Sequence, residues 1–165
     1  MGSYKKRAAC EKGFTLFEVL ITTAIIGIVA ALAIPMYKSY IDTADMAKVN
    51  SAYENAIRIT RQEFARNETH VALGFAPTLP TGDNHWDRIA NWIKLFDPGG
   101  TQAPGGGPAY VDTRTSQDNA DETGAVRINY SPSSGEMTIS RPAYHDLKRV
   151  ITYVKPDSVK VYTPH

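Results

Sequence analysis

The 165-residue chain carries 18 Lys and Arg against 17 Asp and Glu, with 42% hydrophobic residues, 12 Gly, 10 Pro and one Cys. A balance this close to neutrality argues against capture of nucleic acid by whole-surface charge. The single thiol, Cys10, leaves no pair for a disulfide.

At the N-terminus, Lys5, Lys6, Arg7 and Lys12 precede Gly13 and Phe14, and an apolar run follows. From Val19 to Tyr37, nineteen residues carry no charge, close to the ~20 that a helix needs to cross a hydrocarbon core of ~30 Å. Glu18 stands at the start of that span, at the edge of the membrane. An ordinary secretory signal closes its apolar stretch with a small-x-small cleavage site, and none appears here before Pro35. A cut at Gly13 therefore leaves the anchor on the product. The basic flank marks the cytoplasmic side.

The string KGFTLFE followed by VLITTAIIGIVAALAIPMY resembles the class III leader and N-terminal helix of type IV prepilins and type II secretion pseudopilins. The resemblance covers the first quarter to third of the chain. It implies that a membrane-embedded aspartyl prepilin peptidase cuts between Gly13 and Phe14 and methylates Phe14. It also implies that Glu18 is the acid of the fifth mature position, and that Gly27 and Pro35 fall where pilins carry a glycine and a proline. The fold it implies is α+β, a long N-terminal helix packed on a C-terminal four-stranded antiparallel sheet. Many type IV pilins close their C-terminal region with a disulfide, which this chain cannot do. Without residues 1–13 the remaining 152 residues carry 14 basic and 16 acidic side chains, a net charge of −2.

Beyond the transmembrane half, 14–37, an amphipathic half is expected over 38–66. Met46, Val49, Tyr53, Ala56, Ile57 and Phe64 recur at spacings of three and four. A helix over 14–66 is roughly 80 Å long at ~1.5 Å per residue. Residues 67–124 read as a connecting region with a short helix at 86–96, striped by Trp86, Ile89, Ala90, Ile93 and Phe96 and opened by Asp83 or Asn84. Pro104 to Pro108 is expected to be an exposed loop. Within 125–165 the period changes to that of strands, at 125–130, 136–140, 149–154 and 158–162.

Position alone leaves two readings of Glu18 open. One is an interfacial carboxylate favoured by the helix dipole and reaching water. The other is an acid whose desolvation is offset by a cation, such as the amino group of Phe14 on a neighbouring copy, with an α-amino pKa of ~7.7 to 8.0. The prepilin-like motif around it favours the assembly role. Gly27 and Pro35 weaken the helix by ~1 and ~3 kcal/mol respectively. The stretch between them is either a mild kink or, as in related filaments, a segment that becomes extended on assembly.

Asp112, Asp118, Asn119, Asp121 and Glu122 form an oxygen-rich loop of the kind calcium prefers. Their spacing does not match an EF-hand, so a solvated acidic loop and no cofactor are expected. Asp118, Asp121 and Glu122 are the candidates for calcium. The four histidines, His70, His85, His145 and His165, sit in no metal-ligand motif, and no catalytic residue is identified. Lys148, Arg149, Lys155 and Lys160 read as a solvated sheet face, with no specific nucleic acid expected.

Three functions follow. The chain is a type IV pilin, held in the inner membrane by one span and then polymerised into an extracellular fimbrium with copies of itself. Alternatively it is a pseudopilin of a short periplasmic filament that drives protein export, or a single-span membrane-anchored enzyme or binding module. The first two share as partners the prepilin peptidase and a pilus or secretion assembly platform.

Overall fold

The computed structural model describes residues 13–114 and 120–164. Its contacts divide the chain into two compact units, Met1–Tyr40 and Ile41–His165. The helix α1, Leu16–Ala72, contributes to both. In the first unit it is apolar and solvent-exposed, with Leu32 and Ile34 among its exposed side chains, and Pro35 lies inside it.

The second unit is built on the rest of α1. Val49, Tyr53, Ala56, Thr60 and Phe64 are its buried positions, a stripe at spacings of three and four. Thr60 belongs to the core because its hydroxyl donates to the Ala56 carbonyl at 2.8 Å, which removes the cost of burying it. The helix ends six residues beyond the expected Arg66, where Gly74 adopts φ 82°. There Phe75 N–H bonds the His70 carbonyl at 3.0 Å and Gly74 N–H bonds the Val71 carbonyl at 2.9 Å, the two bonds of a Schellman stop.

Helix α2, His85–Phe96, starts at Asn84, whose side chain accepts from Asp87 N–H at 3.0 Å. Its buried face is Ile89, Trp92 and Phe96. The expected stripe is therefore rotated. Trp86 and Ala90 face outward, and Trp92, fully buried, takes the central place.

The C-terminal sheet has five strands in the order β1-β2-β3-β4-β5, one more than expected. Four of them, β2 (Val126–Ser131), β3 (Glu136–Arg141), β4 (Val150–Val154) and β5 (Val159–Tyr162), form an antiparallel meander. The additional strand, β1 (Tyr110–Asp112), pairs in parallel with β2. It has only three residues, all buried, so neither length nor alternation marks it in the sequence. A single-turn helix, α3 (Ala120–Thr123), lies between β1 and β2. It ends at Gly124, whose φ of +77° and contact distance of 2.9 Å from Val49 Cγ2 to an added Cβ exclude a side chain there.

The inner sheet face carries Val126, Ile128 and Tyr130 of β2, Met137 and Ile139 of β3, and Val154 of β4, all buried. Phe64, Trp92 and Tyr130 meet at the centre, with ring centroids 5.5 to 6.3 Å apart. Such aromatic pairs contribute ~0.5–1.5 kcal/mol beyond the area they bury. Tyr53 and Thr152 share a buried hydroxyl–hydroxyl bond that joins α1 to β4.

Candidate assembly site

The start of α1 is organised by two side chains. Glu18 Oε2 accepts from the Thr15 N–H and the Thr15 hydroxyl, each at 2.8 Å, and Thr15 Oγ1 accepts from the Glu18 N–H at 3.2 Å. This reciprocal pair is a capping box, in which two N–H groups that the helix cannot satisfy are bonded by side chains. The signal was present in the sequence as Thr-x-x-Glu, and Thr15 is the residue that a reading centred on Glu18 overlooks.

Phe14 itself is 87% exposed. Gly13, Phe14 and Thr15 are not helical. Downstream, the helix is long and apolar enough to cross a membrane, and none of that apolar window is buried among the described residues. An added Cβ at Gly27 meets nothing within 4 Å, and α1 runs unbroken through Gly27 and Pro35. Thr22 and Thr23 turn their hydroxyls onto the carbonyls of Glu18 and Val19, so these polar groups carry their own partners into the apolar stretch.

The acidic loop is partly committed elsewhere. Asp121 accepts from Ala143 N–H at 2.9 Å through Oδ1 and pairs with Arg149 through Oδ2. Asp112 is buried, with Oδ2 2.6 Å from His85 Nε2 and Oδ1 accepting from Arg114 N–H at 2.9 Å. That pair fastens the first turn of α2 to the end of β1, a link between residues the sequence separates by 27 positions. Glu122 is exposed, and Asp118 and Asn119 lie outside the described residues. Among the described residues, no group of three or more His, Cys, Asp or Glu is placed to hold a metal ion.

An apolar helix with a capped acidic start, continuing into an α+β unit, defines a pilin-like architecture. The family model of the prokaryotic N-terminal methylation motif matches residues 9–34, a stretch that contains Gly13, Phe14, Glu18 and Gly27 and stops one residue before Pro35. Fimbrial protein Q of Moraxella bovis is 30% identical over 138 residues, 78% of this chain and 84% of that one. The type IV major fimbrial protein FimA of Dichelobacter nodosus is 54% identical over 41 residues, 25% of this chain and 26% of FimA. The type IV major alpha-pilin of Moraxella bovis is 50% identical over 40 residues, 24% and 25% of the two chains. The match thus spans about a quarter of the length of the last two relatives. No solved structure matches. The chain belongs to the type IV pilin family of fimbrial proteins.

Proposed function

We propose that this chain is a structural subunit of a type IV pilus. It is stored as a single-span protein of the inner membrane, processed at Gly13–Phe14, and polymerised through α1 into an extracellular filament of identical copies. The observation that carries this reading is the register of the N-terminus. A glycine–aromatic junction, an acid four residues beyond Phe14 and an apolar helix without cover among the described residues follow one another without a break.

Processing adds one water across the Gly13–Phe14 amide, leaving a carboxylate on Gly13 and a protonated amine on Phe14. Methyl transfer from a methyl donor then converts that amine to its N-methyl form, which keeps the positive charge. In the filament the Phe14 amine of one copy pairs with Glu18 of another. This offsets the cost of holding a carboxylate in an apolar surround. Copies of α1 cover one another's apolar faces, so the surface that anchors the monomer in lipid becomes the filament core.

The relatives' names as fimbrial proteins and pilins support the surface-filament reading over a secretion pseudopilin. Electron microscopy of fibres sheared from cells, with mass spectrometry of the subunit, tests the proposal. Long fibres whose subunit begins at N-methylated Phe14 are expected. Fibres confined to the periplasm would assign the chain to export instead.

A further inference from the structure

We propose that Thr15 is the residue that keeps the Gly13–Phe14 peptide bond out of the helix, so that the processing peptidase meets extended backbone at the cut. The inference rests on the processing step proposed above. Helix α1 begins at Leu16, and the three residues around the cut, Gly13 to Thr15, are non-helical. What fixes that boundary is the Thr15 side chain. Its hydroxyl takes the Glu18 N–H at 3.2 Å, and its carbonyl takes the Val19 N–H at 3.3 Å, the i to i+4 bond that opens the helix.

Without that hydroxyl, the backbone has another way to satisfy the same donors. Adding a turn upstream gives the Glu18 N–H to the Phe14 carbonyl and the Phe17 N–H to the Gly13 carbonyl. The Gly13 carbonyl is the one that water must attack. Inside a helix it is hydrogen-bonded along the axis and its carbon is enclosed by neighbouring turns, so attack requires the turn to open first. The sequence offers no nearby side-chain replacement, and Gly13, which tolerates the N-cap position about as well as Thr, would as cap carry its own carbonyl into the helix. Between Ser3 and Thr15 there is no Ser, Thr, Asp or Asn, the side chains that best cap a helix start. Glu18 completes the box from the other side by accepting the Thr15 N–H at 2.8 Å. The same acid thus adds a secondary bond at the boundary that the Thr15 hydroxyl sets before the cut, and serves assembly after it.

The test uses the full-length precursor in membrane vesicles with prepilin peptidase, and follows leader removal by mass. Thr15→Ser and Thr15→Asn keep a capping group, Thr15→Val keeps the shape of threonine without one, and Thr15→Ala removes both. Cleavage of the Ser and Asn variants is expected within about twofold of wild type, and that of the Val and Ala variants about three- to tenfold slower. Wild-type cleavage of Thr15→Val would overturn the inference. So would Thr15→Asn being as slow as Thr15→Val, because the peptidase would then be reading the threonine itself and not the helix boundary it sets. A wild-type product that begins elsewhere than Phe14 would instead overturn the processing step, which keeps the two failures apart.

Discussion

On the proposed function, Glu18 is one side chain that serves two states of the same protein. In the monomer one carboxylate oxygen, Oε2, receives both bonds from Thr15, while the helix N-terminus favours the negative charge through its dipole. An incoming amine therefore meets an acid already oriented at the tip of α1. Glu18→Ala is expected to leave leader removal largely intact, because the Thr15 hydroxyl still caps the helix, but to stop or strongly slow filament growth. Immunoblots of sheared fibres against whole-cell precursor and product separate the two effects, and wild-type fibre yield would refute the assembly role.

Among the elements, α1 and the β3–β4 connection carry the mechanical design. The segment from Gly27 to Pro35 is helical in the isolated chain, yet glycine lowers its stability by ~1 kcal/mol, and the proline, lacking an N–H, removes one hydrogen bond. In the filament this segment is expected to become extended, letting the packed rod lengthen under load. A filament map with continuous helix from Gly27 to Pro35 would exclude that.

The β3–β4 connection is held without a disulfide. Asp121 receives Ala143 N–H and Arg149. Arg141 donates to Asn50 at 2.6 Å and to the Lys148 carbonyl at 2.9 Å, which ties both ends of the connection to the rest of the unit. Asp121→Ala is expected to destabilise the second unit by about 1 kcal/mol, since the ion pair is half exposed and only the backbone bond is strongly constrained. Thermal melting should show this as a fall of about 3–5 °C, the same with calcium or with a chelator. A calcium-dependent difference would make Asp121 a metal ligand.

At the scale of the whole molecule, the two units rest on different sources of stability. The second buries a conventional core. The first has an apolar helix with no cover among the described residues, and on the proposed function lipid or other copies supply it. The core also predicts a pH response. Burial raises the pKa of Tyr110, where an Asn55 hydrogen bond opposes the shift and the charge of Asp97 adds to it. Burial likewise raises Tyr130, against the opposing charge of Arg88, and raises Tyr144, reinforced by Asp45 and Asp42.

A folded pKa above the unfolded value of ~10 gives stability that is complete below that value and is lost as pH rises through the folded one. Unfolding of the second unit is thus expected to set in above about pH 10, tracked by circular dichroism together with tyrosinate absorbance. Ionisation of all tyrosines well before unfolding would show that these hydroxyls are not protected by the fold.

Much of this could be read from the residues in order. The apolar span, the Gly13–Phe14 junction, Glu18 and the stripe from Val49 to Phe64 are local patterns, because a helix brings together residues three and four apart. The four longer strands follow from alternation for the same reason. Gly74, as the end of α1, and Thr-x-x-Glu, as its start, were equally local. Each takes its meaning from the hydrogen bonds it makes.

Three features depended on contacts between distant segments. The three residues of β1 are a strand only because β2 lies beside them. The face of α2 that turns inward is chosen by Phe64 and Tyr130, which receive Trp92 and leave Trp86 outside. Asp112 and Asp121, acids of one sequence cluster, are drawn apart to His85 and to Arg149. The sequence by itself determined the uncharged apolar span, the Gly13–Phe14 junction and the acid at the start of the span. Those depend on composition and on spacing within one helix. Only the tertiary structure decided the fifth strand, the buried tryptophan and the partners of the acidic loop, since each is set by which remote groups can satisfy a buried face or a charge.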